Sequence, residues 1–168
     1  MKRVLLILST TRYAKASLDG ALSEAASIAS VDGSAGLHIL YIRETEELAR
    51  VKSSVDDRAF LGMSPQDHIL ESLEKQHHAT AMRRLERAKR GASTLDGVVF
   101  SAEEIQGDYA ELAGEAAVDF DVVYLCRADR PFVSRLLFGS DTDTVARLVR
   151  SEGGKVIVND AMPPAWQE

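Results

Sequence analysis

The last third of the chain constrains the fold more than any other stretch, because it reads as strand, loop, helix and strand in succession. A short apolar run covers Val122 to Leu125, a polar loop follows, and Gly139 and Ser140 then open an amphipathic helix. A second apolar run covers Lys155 to Val158. Neighbouring parallel strands need a helical crossover of this kind. Ligands of open α/β sheets bind where strands end and helices begin, so functional residues are expected between Cys126 and Asp141.

The same alternation of apolar runs and helical patterns extends over the rest of the chain. Further strands are predicted at Val4–Leu8, Leu37–Ile42 and Val98–Ile105, and further helices over Leu18–Ala29, from Ser64 to about Arg90, and after a cap at Asp108. Five strands alternating with four helices predict one α/β domain over residues 1–160, with a doubly wound parallel sheet. A polar insert is expected over residues 43–63, and the Pro-rich residues 161–168 are expected to form a tail.

Composition narrows the class of protein. The chain has 168 residues, of which 45% are hydrophobic, enough for one domain with a core of its own. A net charge of -6 argues against nucleic acid as a partner, and one cysteine excludes an intrachain disulfide. Spanning a membrane takes roughly 20 apolar residues, and the run from Val4 to Leu8 is shorter than the ~7 to 15 of a signal peptide. We therefore expect a soluble cytoplasmic protein with no membrane partner.

Several segments resemble the universal stress protein family in their order and spacing. RVLLILSTTRYAKASLDGALSEA resembles its first strand and helix, LHILYIRE its second strand, and QGDYAEL the Gly-Asp turn before its third helix. DVVYLCRAD, LLFGSDTDTV and KVIVND continue the resemblance, which covers nearly all the chain except residues 43–63. It implies a flavodoxin-like, Rossmann-like fold with strand order 3-2-1-4-5. It also implies a homodimer through the last strand, an edge that otherwise exposes backbone groups: Lys155, Val156, Ile157 and Val158.

The resemblance further implies a nucleotide pocket, but its glycine pattern is only partly kept. Many members bind ATP through a Gly, two residues, Gly, nine residues, Gly-Ser pattern. Gly139 and Ser140 match its end, whereas Cys126 and Asp129 replace the two earlier glycines. Side chains there crowd the phosphate-binding amides. The Asp129 carboxylate would also repel a phosphate by about 4 kcal/mol at ~4 Å and an effective dielectric of 20, which nearby arginines such as Arg127 would offset.

Two other positions complete the degenerate pocket. Ser9 stands where the ATP-binding members usually carry an aspartate after the first strand, and Ile42 keeps an apolar character suited to an adenine. ATP is the cofactor that the resemblance suggests, and none is expected to be required. The candidate binding residues are Ser9, Ile42, Cys126, Arg127, Asp129, Gly139, Ser140, Asp141 and Thr142.

Three functions are compatible with these residues. The first is a non-enzymatic stress-response or signalling module that acts as a dimer and through protein contacts, with weak or absent ATP binding. The second is an ATP-binding switch or slow ATPase that uses the helix N-terminus at Gly139 and Ser140. The third is a thiol-dependent enzyme using Cys126, although a lone cysteine is more typical of a small buried residue. No metal site and no catalytic residue are predicted.

Other polar clusters are interpreted as structural or solvated. The basic residues on the second half of the long helix are interpreted as a solvated face rather than an anion site: Arg83, Arg84, Arg87, Lys89 and Arg90. The four histidines lack the spacing of a metal site. Glu103 and Glu104, as adjacent residues, point apart and are expected to be solvated rather than to act as an acid-base couple.

Overall fold

The computed structural model describes residues 1–45, 49, 65–128 and 140–161. Five strands and four helices alternate through these ranges. They are β1 Lys2–Ser9, α1 Lys15–Asp32, β2 Ala35–Glu44, α2 Pro65–Ala92, β3 Val98–Gly107, α3 Tyr109–Ala117, β4 Val122–Arg127, α4 Asp141–Ser151 and β5 Lys155–Asp160. Each predicted strand and helix is present.

The strands form one parallel sheet in the order β3-β2-β1-β4-β5. This confirms the predicted fold class and the strand order that the family resemblance implied. The carboxyl ends of all five strands lie at one edge, where Ser9 of β1 is opposite Ile42 of β2. Because the chain leaves β1 toward β2 and leaves β4 toward β5, β1 and β4 flank the switch point of the sheet.

Two cores hold the helices to the sheet, one on each face. On one face, α1 and α2 pack small side chains such as Ala21, Ala25 and Ala81 against alternate residues of β1 and β2. On the other face, α3 and α4 pack on β1, β2, β4 and β5, with Ala113 and Val145 at the centre of the contact. The central strand β1 is buried on both sides from Val4 to Ser9, as expected of a continuous aliphatic run in a parallel sheet.

Several strands extend beyond their apolar runs into polar residues. β2 continues through Arg43 and Glu44, which the sequence had assigned to the polar insert, because both pair with the end of β3. β4 reaches Arg127 and β5 reaches Asp160 by the same kind of pairing. The rest of the expected insert and of the expected tail, apart from residues 45, 49 and 161, lies outside the described residues.

Helix ends follow local chemistry in most cases. Gly33 ends α1 with φ 79°, a left-handed conformation that side chains disfavour. The Asp108 carboxylate accepts from the Glu111 amide at 2.9 Å, which confirms the predicted cap of α3. Ser140 stands at the cap position of α4, but its hydroxyl makes no cap bond. Its carbonyl instead accepts from the amides of Asp143 and Thr144, at 2.9 and 3.0 Å.

Candidate functional site

The candidate site lies at the carboxyl edge of the sheet, at the switch point beside β1 and β4. Three segments meet there: the loop from Ser9 to Ala14 that follows β1, the end of β2, and the first turn of α4. The loops after β1 and β4 leave the sheet in opposite directions and open a crevice lined by backbone N–H groups. Doubly wound sheets bind ligands there for this reason. The side chains that fill it decide what this chain can bind.

Arg12 is the residue on which these segments converge. Its side chain is only 2% exposed although it carries a full charge. One guanidinium nitrogen forms an ion pair with Glu44 at 2.5 Å, and the other donates to Asp141 at 2.8 Å. The guanidinium carbon also lies 3.9 Å from the ring centroid of Tyr109, a close cation–π contact. Arg12 therefore joins the end of β2 to the start of α4 across the crevice.

Glu44 is the buried anion that balances Arg12, and it is 7% exposed. Its Oε1 accepts from the Ser9 hydroxyl and, at 2.7 Å, from the Thr11 hydroxyl. The Ser9 hydroxyl in turn accepts from the Arg12 amide at 3.1 Å. Carboxylate, hydroxyls and guanidinium thus form one continuous network, in which Ser9 is occupied by protein partners.

Opposing effects set the protonation of this pair. Burial raises the pKa of Glu44, but the charge of Arg12 and hydrogen bonds from Arg12, Ser9 and Thr11 outweigh it and hold the pKa below its ordinary value. Burial likewise lowers the pKa of Arg12, and the charge and hydrogen bond of Glu44, with smaller contributions from Tyr109 and Asp141, raise it above the ordinary value. Both groups are therefore charged at neutral pH.

The N-terminus of α4, where the sequence predicted an anion site, is flanked by two acid–guanidinium pairs. Asp141 bonds to Arg12, and Asp143 accepts from Arg127 at 2.9 Å. Asp143 raises the pKa of Arg127 chiefly through that hydrogen bond. Inside the helix turn, the buried Thr142 hydroxyl donates to the Cys126 carbonyl at 3.1 Å and so fixes α4 to the end of β4. The acidic side chains supply the negative charge that the positive end of a helix favours.

Two of the other predicted pocket residues face the protein interior. The Cys126 thiol is fully buried on the α1 side of the sheet and donates to the Ser17 hydroxyl at 3.2 Å. Burial raises the pKa of this thiol, and smaller effects, led by the Ser17 hydrogen bond, oppose it. Ile42 is fully buried in the core on the other face. Asp129 and Gly139 lie outside the described residues.

A second buried guanidinium, that of Arg84 on α2, adjoins the site from the other side. It donates to the Ser9 carbonyl at 3.0 Å and to the Tyr41 hydroxyl at 3.1 Å, and it lies 4.4 Å from the Tyr13 ring centroid. At 9% exposure it is not part of a solvated helix face, so that interpretation of the basic cluster is wrong for Arg84.

Of the acidic pair on β3, Glu103 is exposed as expected, whereas Glu104 departs from its expected solvation. Glu104 is largely covered, forms an ion pair with Arg43 at 2.5 Å and lies 2.8 Å from the ring Nδ1 of His78. Glu103, in contrast, is half exposed, and its carboxylate lies 3.2 Å from the His38 Nε2, from which it accepts when that nitrogen carries the proton. These contacts tie the edge strand to β2 and α2 rather than forming an acid-base couple.

Four of the residues predicted from the sequence make contacts at this edge: Ser9, Arg127, Asp141 and Thr142. Arg12 and Glu44, which hold the network together, were not among the predicted residues. A lone arginine in a loop and a glutamate in a polar stretch carry no periodic signal. Their partnership depends on the pairing of β1 with β2. The one available signal was their position, since each lies within a few residues of the carboxyl end of a predicted strand.

No metal site and no membrane segment emerge from the described part of the chain. Within residues 1–45, 49, 65–128 and 140–161, no group of three or more His, Cys, Asp or Glu is arranged to hold a metal ion. Over the same ranges, none of the helices has the length and hydropathy needed to cross a bilayer.

Solved structures of known proteins share this architecture. No protein-family model and no curated protein matches the chain. Solved structures do match: the hypothetical protein MJ0577 at 13% identity, with 96% of each chain covered and a TM-score of 0.62, and UspA from Lactobacillus plantarum at 15% identity, with 94% and 96% covered and a TM-score of 0.58. A universal stress protein in complex with cAMP matches at 16% identity, with 96% and 98% covered and a TM-score of 0.53.

The chain has the universal stress protein fold. The strand order and nearly complete coverage agree with the resemblance drawn from the sequence. Within this fold, the Arg12–Glu44–Asp141 network lies in the crevice at the switch point of the sheet.

Proposed function

We propose that the protein is a universal-stress-protein-like module without enzymatic activity, which works in a stress response or in signalling through dimerisation and protein contacts. In this proposal ATP binding is weak or absent. The observation that carries it is the pair of bridges at the start of α4, Arg12–Asp141 and Arg127–Asp143.

Both bridges oppose the entry of a phosphate. A phosphate that approaches the first turn of α4 meets two carboxylates whose charges are already paired with Arg12 and Arg127, so the bridges leave little net positive charge to attract it. The carboxylates of Asp141 and Asp143 already interact with the positive end of the helix dipole. A phosphate would therefore gain little further attraction from that dipole. To recruit Arg12, the ligand must also break its buried pairing with Glu44, which leaves a carboxylate uncompensated.

The proposal is tested by thermal denaturation of the purified chain in the presence of Mg-ATP and, in parallel, of cAMP. We expect no rise in Tm at millimolar nucleotide, because a ligand that binds the folded state must raise Tm. A rise of several degrees with either nucleotide overturns the proposed weakness of binding.

A pair of variants tests the electrostatic reason. Asp141→Asn with Asp143→Asn removes the two carboxylates, frees Arg127 from Asp143 and leaves Arg12 paired with Glu44 alone, so ATP affinity should rise at least tenfold. Glu111→Gln with Glu115→Gln, two exposed positions on α3, changes the net charge equally and serves as the control. An equal rise in ATP affinity in both variants would show that only the net charge matters. No rise in either variant would mean that weak ATP binding has another cause in the pocket.

A nucleotide-dependent switch or slow ATPase is the second candidate, and one observation favours it. The amides of Asp141 and Thr142 form no hydrogen bond with any described residue, so the start of α4 retains two donors for an anion. A solved neighbour of the same fold is a complex with cAMP. If wild-type protein binds Mg-ATP in the titration above, release of phosphate over hours separates an ATPase from a binding switch.

A further inference from the structure

The second half of α2 presents a row of arginines that the network at the switch point does not use. We define the arginine stripe as Arg83, Arg84, Arg87 and Arg90. Spacings of three and four residues place them on one side of the helix. The first and last are separated by about 10 Å along the helix axis, at ~1.5 Å per residue.

The stripe lines a cavity of about 920 Å³. Thr80, Met82 and Glu86 contribute to the same lining. This volume is at the upper end of the roughly 300–1,000 Å³ typical of ligand pockets and far exceeds what a lone phosphate or carboxylate fills. The stripe therefore borders a space large enough to hold a peptide segment, and Arg83, Arg87 and Arg90 are exposed to it.

Three of the four guanidinium groups lack an acidic partner in the described part of the chain. Arg83 donates to the hydroxyl of Thr80 at 3.2 Å, and Arg87 donates to the hydroxyl of Tyr13 at 3.3 Å. Neither of them, nor Arg90, forms an ion pair with a carboxylate of a described residue. The row thus keeps its positive charge available to a ligand.

Arg84 gives this surface a rigid base. Its guanidinium lies over the Tyr13 ring and is bonded to Ser9 and Tyr41, so it cannot move away when a ligand binds. The guanidinium of Arg87 is held in place by its hydrogen bond to the Tyr13 hydroxyl. Fixed guanidinium groups lose less conformational entropy on binding than free ones do.

We propose that the arginine stripe is a docking site for an acidic peptide segment of a partner protein. In an extended peptide, alternate residues on one face are about 6.6 Å apart, whereas the rise is about 6 Å from Arg83 to Arg87 and about 4.5 Å from Arg87 to Arg90, differences that the long arginine side chains can span. Alternating carboxylates can therefore meet Arg83, Arg87 and Arg90 in turn. Each contact is a charge-assisted hydrogen bond, and the exposed Met82 beside the row adds an apolar surface at the edge of the site.

The charge of the whole chain favours a short acidic segment over a long polyanion. At a net charge of -6, the surface outside the stripe repels nucleic acid, whose binding depends on many phosphate contacts over an extended basic surface. A peptide that meets only the stripe avoids most of this repulsion. The inference deepens the proposed function by naming the chemistry of its partner, and it does not depend on the absence of nucleotide binding.

Fluorescence anisotropy of a labelled peptide with alternating glutamate and alanine tests the proposal on the full chain. We expect saturable binding at low salt that weakens at least tenfold between 50 and 300 mM NaCl, because the contacts are ionic. The same peptide with glutamine in place of glutamate should not bind. Absence of binding by the glutamate peptide at millimolar protein overturns the proposal, as does tighter binding of a single-stranded RNA oligonucleotide in the same assay.

Matched charge reversals locate the site. Arg83→Glu with Arg90→Glu should weaken peptide binding at least tenfold, whereas Arg147→Glu with Arg150→Glu on α4 should change it less than twofold. Both pairs are exposed, and each includes one arginine in the last turn of its helix, so the change in net charge and the cost to the helix are alike. Equal weakening by the two pairs refutes a local site. A nucleotide titration reports on the start of α4, so its outcome is separate from that of the peptide assay.

Discussion

Arg12 and Glu44 form a buried ion pair whose energetics differ from those of the surface pairs. Removing two charges from water costs several kcal/mol for each ion, and their attraction compensates only when further hydrogen bonds complete the geometry. The hydroxyls of Ser9 and Thr11 and the carboxylate of Asp141 provide those bonds. The pair is therefore strongly interdependent, since losing one member leaves the other charged and buried.

Arg12→Met should lower the free energy of unfolding by about 3–5 kcal/mol, because Glu44 then remains as an uncompensated buried anion. Urea denaturation at neutral pH measures the change. Lys15→Met, which breaks the exposed pair of Lys15 with Asp19, serves as the control and should cost about 0.5 kcal/mol or less. Similar losses in the two variants would contradict a special role for the buried pair.

Single residues were the part of the site that the sequence predicted least well. Ser9, Asp141 and Thr142 could be placed because they adjoin recognisable strand and helix ends. Arg84 could not, because its burial depends on Tyr13 and Tyr41, which come from distant parts of the chain and meet it only in the folded sheet. Charged residues are ordinarily exposed, and only tertiary contacts identify the exceptions.

The packing of α1 on the sheet shows how closely the elements approach one another. Gly20 faces the ring of Tyr124 on β4, and a Cβ atom at that position would lie 2.7 Å from the ring Cε1. Tyr124 is itself buried, so its ring has little room to move. The glycine therefore sets the distance between α1 and β4.

Gly20→Ala should lower the free energy of unfolding by about 1 kcal/mol. Alanine favours a helix over glycine by ~1 kcal/mol, but overpacking of a tight contact costs about 1–3 kcal/mol and outweighs that gain. Ser23→Ala, at an exposed position of α1, is the control and should stabilise slightly through propensity alone. Denaturant titration compares the two variants, and a stabilised Gly20→Ala protein would show that the contact relaxes without cost.

Elements were predicted well in existence and order, and less well at their ends. Apolar periodicity identified the five strands and four helices of the described residues because each buries an apolar face in one of the two cores. The ends of β2 and β3 are polar, and they continue as strands because neighbouring backbones pair, as Glu44 does with Gly107. The hydrophobic pattern of the sequence carries no information about that backbone pairing.

Considered as a whole molecule, the chain keeps the fold while its switch-point crevice is filled by its own side chains. The fold depends on two apolar cores that do not involve the crevice residues Arg12 and Glu44. Ligand chemistry is set by a few residues at the carboxyl edge, so a site can change while the architecture persists. The proposed function therefore depends on surfaces, namely the arginine stripe and the outer edge of β5.

The outer edge of β5 carries the last prediction, that the chain is a homodimer. Among the described strands β5 pairs only with β4, and its residues Val156, Ile157 and Val158 are only partly buried. A second copy would cover the unpaired backbone groups and these apolar side chains. Light scattering at micromolar concentration should give twice the 18.3 kDa mass of one chain.

Val158→Lys should shift the protein to monomer, because a lysine from each copy would then enter the interface and carry an unpaired charge into it. Val99→Lys, on the opposite edge strand β3, introduces the same charge at an exposed valine and should leave the mass unchanged. Circular dichroism confirms that both variants remain folded, so that a lower mass reports dissociation. A monomeric wild-type protein, or dissociation caused by Val99→Lys alone, would exclude β5 as the interface and leave its edge open to another partner.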